Sequence, residues 1–297
     1  MKRKILFRGT GTALVTPFDN QNEIDEHSIK KLVEFQIKGG VEALIPTGTT
    51  GESATLSEDE QAKIVSLVSK FARGRIKIIA GAGSNSTAKA VSLAKKVLAE
   101  GADAVLSVAP YYNKPTQEGF YQHYATIASE IDSPIIIYNV PGRTSSNIEA
   151  ATTLRLANEF SNIVGIKEAS GNFVQIMEIL RKRPDGFGVW SGDDATTLPL
   201  ISLGADGVIS VVANETPEQF SKMVRFCLKG NFKKAIRIHN QLLDLMNFNF
   251  IESNPIPVKA ALAEMGLIKE NYRLPLVKLS NNYRQKMKAI LKELDLI

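Results

Sequence analysis

The chain of 297 residues contains one cysteine, Cys227, and three histidines, His27, His123 and His239. A single cysteine excludes an internal disulfide framework and any multi-cysteine zinc site. Its expected place is the buried face of a helix, where a thiol behaves as a small apolar side chain. The histidines fall on helical patterns or their approaches, which argues against histidine-based catalysis and metal–histidine sites. No apolar run is long enough to span a bilayer. The basic start, Met1-Lys2-Arg3-Lys4, is followed by a short apolar stretch that Arg8 and Gly9 interrupt, so neither a signal peptide nor a membrane anchor is expected. The net charge of +5 is modest for this length, and no block of lysines and arginines interleaves with aromatics. Nucleic acid is therefore not an expected partner. Hydrophobic residues make up 44% and charged residues 23%, proportions that support a sizeable core and a cytoplasmic globular protein.

What the chain does have is repetition. Eight short apolar runs alternate with helical patterns: Gly11–Thr16, Glu42–Pro46, Ile76–Ala80, Ala104–Ala109, Ile135–Asn139, Val164–Ala169, Gly188–Ser191 and Gly207–Val211. Helical periodicity runs from Ser28 to Lys38 and stops at Gly39-Gly40. Ser57 and Glu60 form a capping-box pattern for a helix through Phe71, and Pro217 sits at the first position of another. Eight βα units in about 230 residues are most economically housed in a closed (β/α)8 TIM barrel of the α/β class. A doubly wound open sheet is the weaker alternative, because no Gly-x-Gly-x-x-Gly opens the first helix. After Lys229 the alternation ends and only helical patterns remain. The expected organisation is a catalytic barrel over residues 1–229 and a C-terminal helical appendage over 230–297.

In such a barrel the chemistry belongs at the C-terminal ends of the strands. That rule collects Thr16, Thr49, Thr50, Tyr111, Tyr112, Tyr138, Arg143, Lys167, Gly192, Asp193 and Ile209 at one mouth. Lys167 stands out, because a lysine near the end of a β-branched run is expensive to bury unless neutralised or paired. It could be a desolvated amine that attacks a carbonyl. It could equally snorkel to solvent or pair with Glu168. The Gly48-Thr49-Thr50-Gly51 loop could cradle a phosphate or a small carboxylate, or be only a tight turn. It is not a Walker loop, since no Gly-Lys-Thr/Ser follows. Asp193-Asp194, without further loop carboxylates, makes a weak divalent-cation site.

Several motifs in fixed order narrow these choices. Gly48-Thr49-Thr50-Gly51-Glu52-Ser53, Pro110-Tyr111-Tyr112-Asn113, Tyr138-Asn139-Val140-Pro141-Gly142-Arg143-Thr144, Gly165-Ile166-Lys167-Glu168-Ala169 and Asn254-Pro255-Ile256-Pro257-Val258-Lys259 resemble the signatures of the dihydrodipicolinate synthase family. That family lies within the pyruvate-dependent class I aldolases, together with N-acetylneuraminate lyase, and the resemblance runs almost end to end. It implies condensation of pyruvate with L-aspartate 4-semialdehyde in diaminopimelate and lysine biosynthesis. Lys167 would form the Schiff base, and would have to be deprotonated to do so, which an apolar strand favours. Thr50 would hold the pyruvate carboxylate, with backbone support from Ile209, and Gly192 would border the substrate. Tyr138 would relay protons with Thr49 and with Tyr112 of a neighbouring subunit, and Arg143 would bind the aldehyde's carboxylate. No metal, nucleotide or organic cofactor is implied, and the implied assembly is a homotetramer of two tight dimers.

Two alternatives remain at this level. A relative that cleaves sialic or sugar acids would use the same lysine and tyrosine but resembles this motif without Arg143. A non-catalytic barrel that binds a small acid would form no imine. The resemblance also implies a lysine-binding regulatory pocket at Ser53, Ala54, Glu58, Gln61, Asn85, Lys89 and Tyr111. Glu58 and Gln61 stand where histidines occur in sensitive members, and Lys89 replaces an acid. A cation facing the ligand's ammonium is repulsive, so weak or absent lysine inhibition is expected.

Overall fold

Each βα unit has one apolar strand face and one apolar helix stripe, and neither can stay in water. In the computed structural model, which describes residues 3–297, eight parallel strands solve this by closing on themselves in sequence order. Met1 and Lys2 of the basic start lie outside the described residues. The strands are β1 (Gly9–Ala13), β2 (Ala43–Ile45), β3 (Lys77–Gly81), β4 (Ala104–Val108), β5 (Ile135–Asn139), β6 (Ile163–Glu168), β7 (Gly188–Ser191) and β8 (Gly207–Ser210). β8 returns to β1, with Gly11 opposite Ile209. The fold is a (β/α)8 TIM barrel with additional C-terminal helices.

The helices are α1 (Glu26–Lys38), α2 (Glu58–Ala72), α3 (Thr87–Ala99), α4 (Gln117–Glu130), the single turn α5 (Pro141–Thr144), α6 (Ala150–Glu159), α7 (Phe173–Lys182), α8 (Thr197–Ser202) and α9 (Pro217–Leu228). They are followed by α10 (Phe232–Phe248), α11 (Ile256–Glu264) and α12 (Asn281–Glu293). Local chemistry sets several of their ends. Ser57 and Glu60 exchange both capping-box hydrogen bonds at the start of α2, a motif whose cap is worth about 1 kcal/mol. Pro217 occupies the first turn of α9, and Cys227 is buried on that helix. Among the described residues no helix is long and apolar enough to cross a membrane.

The first strand is displaced from the apolar run that announces it. It begins at Gly9 and ends at Ala13, so Leu14-Val15-Thr16 lie beyond it. There the Asn214 side chain takes over from the ladder, accepting from Val15 N at 3.2 Å and donating to Ala13 O at 2.8 Å.

The barrel lumen is filled by Phe7, Ala13, Ile45, Leu106, Ile136, Trp190 and Ile209, among others. Phe7 and Trp190 stack with ring centroids 4.9 Å apart. A side-chain carbon on Gly165 or Gly188 would sit within 2.5 Å of the indole, so both positions must be bare for Trp190 to fill the lower lumen. The upper lumen stays open.

One irregularity decides which way the sixth strand aims its lysine. Strict alternation from Ile163, which packs outward against the helices, would turn residue 167 outward as well. Instead the β5–β6 register slips by one residue, from Ile135 opposite Ile163 to Ile136 opposite Gly165. Val164 is the extra residue of this bulge, and it packs in the lumen. Beyond it Ile137 and Ile166 both face outward, while Tyr138 and Lys167 stand opposite each other on the inner face.

Candidate active site

The mouth of the barrel holds a cavity of about 130 Å³. Lys167 reaches it from β6, Tyr138 from β5, Thr49 and Thr50 from the loop after β2, Arg143 from α5, and Gly192 and Asp193 from the loop after β7. The chain therefore brings together seven of the eleven residues that strand-end position selects.

Lys167 is 6% exposed, and its Nζ lies 4.3 Å from the centre of the Tyr138 ring. Among the described residues it forms no salt bridge. Glu168 is not its partner. That carboxyl faces the helix side, where it accepts from Ser170 Oγ, from Asn139 Nδ2 and, at 3.4 Å, from Gln175 Nε2. With no cation beside it, burial raises the Glu168 carboxyl above its ordinary range. Gly192 has to be glycine for reasons of space. A side-chain carbon there would come within 2.6 Å of Ala169 Cβ and 3.1 Å of Lys167 Cε.

The Gly48–Glu52 segment is a tight turn whose amides divide into two sets. Gly51 N donates to Gly48 O at 3.0 Å and Glu52 N to Thr49 O at 3.1 Å. Among the described residues the Thr49 and Thr50 amides have no acceptor, so two N–H groups at the mouth stay available. The Thr50 hydroxyl accepts from Asn254 Nδ2 at 3.0 Å, which leaves its own proton free to donate. Thr16 lies below, donating to Gly51 O at 2.7 Å, and it braces the turn without lining the cavity. Arg143 Nη2 donates to Asn254 O at 3.3 Å, and the rest of that guanidinium is open.

Asp193 and Asp194 are both committed to backbone. Asp193 Oδ1 accepts from Thr196 N, and Asp194 Oδ2 accepts from Val211 N and Val212 N. Burial pushes the Asp194 carboxyl up to about 6, against those hydrogen bonds. Glu215 is raised well above its usual value, again chiefly by burial, with Asp194 adding repulsion.

Four expected residues lie elsewhere. The Ile209 side chain is fully buried in the lumen, and Val211, two residues on, lines the cavity wall. Tyr112 is 90% exposed, adopts φ of 73° and lines neither this cavity nor its neighbour. Tyr111 lines an adjoining cavity of about 450 Å³, which shares Gly48, Thr49, Tyr138, Arg143 and Asn254 with the first. Ser53, Ala54, Glu58, Gln61 and Lys89 also line this larger space. Asn85 does not, and its carbonyl accepts from Asn113 Nδ2 instead.

Sequence reasoning gave no role to Asn254, which touches Thr50 and Arg143 at once. The only signal was its place ahead of Pro255 in a quoted motif. Phe250, exposed and apolar at the cavity edge, carried no signal at all.

The model of the dihydrodipicolinate synthetase family matches residues 6–294. The chain belongs to that family. A 4-hydroxy-tetrahydrodipicolinate synthase of Chloroherpeton thalassium is 52% identical over 297 residues, covering 100% of this chain and 98% of the relative. Among solved structures, the chloride-inhibited dihydrodipicolinate synthase of Acinetobacter baumannii, complexed with pyruvate, superposes with a TM-score of 0.96 at 44% identity. That match covers 98% of this chain and 100% of the other. The Cyanidioschyzon merolae enzyme with lysine bound gives a TM-score of 0.96 at 41% identity, covering 99% and 100%. The dihydrodipicolinate synthetase family is one of lyases, and this chain is an enzyme of it.

Proposed function

We propose that the enzyme joins pyruvate to L-aspartate 4-semialdehyde through an imine on Lys167, supplying the diaminopimelate and lysine route. The observation that carries this reading is an unpaired, buried lysine amine over a tyrosine ring, facing a cavity with anion-binding groups on two sides. The Thr50 hydroxyl and the free turn amides suit the carboxylate of the keto acid, and β8 at Ile209 supplies the backbone beside it. Lys167 Nζ adds to the keto carbon, and loss of water leaves the imine. Removal of a methyl proton gives the enamine, whose carbon attacks the aldehyde carbon. The aldehyde substrate's own amine then displaces Lys167 and closes the ring. Tyr138 moves the protons of these steps, with Thr49 next in the relay. Tyr112, exposed and lining neither cavity of its own subunit, is read as completing the relay of a neighbouring subunit, in a tetramer of two tight dimers. Arg143, with a free guanidinium edge, takes the aldehyde's carboxylate.

The same reading covers regulation. The larger cavity presents Lys89 where a ligand ammonium would need an acid, so lysine is expected to inhibit weakly or not at all. Strong inhibition at physiological lysine, lost on substitution of Asn85 or Tyr111, would overturn this point. The main test is incubation with pyruvate and borohydride followed by mass spectrometry. A reduced three-carbon adduct on Lys167 is expected, and its absence eliminates imine chemistry. Turnover with pyruvate and aspartate 4-semialdehyde, set against cleavage of sialic acid, tests the substrate.

A further inference from the structure

The turn that carries Thr49 and Thr50 is not held by the barrel alone. Its last residue, Glu52, adopts φ of 57°, a left-handed conformation that an L side chain resists. Its carboxylate is fully enclosed and forms an ion pair with Lys259 Nζ, from α11. Both side chains are 0% exposed. Lys259 Nζ also lies 4.5 Å from the centre of the Phe18 ring and 5.0 Å from that of Tyr272. The second Glu52 oxygen accepts from Arg273 N at 3.3 Å. Five residues before Lys259, Asn254 donates to Thr50 Oγ1. One stretch of chain outside the barrel strands thus grips the turn at two points, on the hydroxyl that recognises the ligand and on the residue that ends the turn.

We propose that Lys259, acting through Glu52, is a positioning residue that holds the Gly48–Glu52 turn in the shape that binds the substrate carboxylate. It touches no substrate. A buried ion pair is poor evidence of stabilisation in itself, because desolvation offsets much of the attraction, and the role argued for this one is to specify a conformation. A neutral pair would pack in the same space without fixing the left-handed residue at the end of the turn. The inference rests on the reading that this turn binds the keto acid's carboxylate.

The test measures the pyruvate concentration that half-saturates borohydride trapping on Lys167, alongside the melting temperature. The proteins compared are the wild type, Lys259→Met, Glu52→Gln, the double variant and Arg284→Met. Lys259→Met should raise half-saturating pyruvate at least tenfold while the trapped yield at saturation stays the same. Arg284→Met breaks the salt bridge of 2.7 Å from Arg284 on α12 to Glu270 in the segment before it, and should lower the melting temperature without moving half-saturation. The double variant leaves no orphaned charge. Its melting temperature should recover while its half-saturation stays shifted. Half-saturation within threefold of wild type in the folded variants, or recovering in step with the melting temperature, overturns the proposal. If Lys259→Met does not fold, Glu52→Gln and the double variant decide by the same criterion. A wild type that traps nothing removes the underlying reading of the site, and this inference with it.

Discussion

Among the described residues two lysines are buried, and their surroundings are opposite. At the junction of α11 with the barrel, Lys259 is enclosed with Glu52, two aromatic rings flank it, and Arg273 pairs with Glu60 nearby. At the barrel mouth, Lys167 has a ring beside it and, among the described residues, no carboxylate within salt-bridge distance, and in the surrounding shell the buried acids Glu168, Asp194 and Glu215 pair with no cation. The junction satisfies its charges and holds a shape. Lys167 and these acids are left without an opposite charge, an arrangement that costs stability and that suits the carbon chemistry proposed for this amine. Burial pulls the Lys259 ammonium below the usual lysine range while Glu52 opposes it. On the function proposed above, the same kind of side chain is structural at the junction and reactive at the mouth, according to whether an acid stands next to it.

The sharpest way to break this contrast is to remove each amine in turn. Lys167→Met keeps the stem and deletes an unpaired group. Turnover should fall by about 10⁴-fold or more, as when a covalent nucleophile is lost, and borohydride trapping should vanish. The melting temperature should stay level or rise, because no partner is orphaned. Lys259→Met should do the reverse to stability, since it strands the Glu52 carboxylate in the interior. Removing one member of a buried pair costs about 3–5 kcal/mol, readable as a lower urea midpoint at unchanged slope. Equal loss of stability in both variants would erase the distinction between mouth and junction.

The contrast also marks where sequence reading succeeds. The eight runs, the helices between them and the final helical segment were legible because strand and helix periods differ and because caps such as Ser57–Glu60 and Pro217 act locally. Lys167, Tyr138, Thr49, Thr50 and Arg143 were legible as a set, since strand ends converge in any barrel of this kind. What was hidden depends on register and on distant contacts. No local pattern announces that Val164 is a bulge residue, yet the bulge turns Lys167 inward. Asn254 and Lys259 lie 204 and 207 residues from the groups they hold, Thr50 and Glu52. Nothing in the composition of either segment indicates that meeting. The side chain at the cavity wall after β8 was hidden for a similar reason, because β8 ends at Ser210 and the chain then turns, bringing Val211 to the wall while the Ile209 side chain packs in the lumen.

Within the mouth, Tyr138 and Lys167 face each other across one rung of the ladder, so a change in the hydroxyl alone isolates proton transfer from amine burial. Tyr138→Phe keeps the ring against Lys167 Nζ. Turnover should drop by about 10²–10⁴-fold, the usual range for a lost acid–base group. Trapping should be slowed but reach completion, because the amine is still present. A rate within a few fold of wild type would show that protons leave by another route.

The smallest effect expected concerns the uncompensated acids, and its sign is opposite to that of an ion pair. Burial pushes the Asp194 carboxyl up to about 6 in the folded protein, against 3.8 for a solvated aspartate. Between those values the folded state holds a proton that the unfolded chain has released, so stability is greatest below the lower value and falls as pH rises through the upper one. A difference of that size corresponds to roughly 2–3 kcal/mol across the window. The groups facing Asp194 are Asp193 and Glu215, both acidic, and the Ser210 hydroxyl, so nothing cationic reverses the sign. Asp194→Asn retains an oxygen for the Val211 and Val212 amides and cannot ionise. Urea unfolding of both proteins at pH 4.5 and 7 should therefore show the variant gaining on the wild type at the higher pH. A difference that does not change with pH would mean that Asp194 is compensated after all, and that the mouth is less unlike the junction than the two lysines suggest.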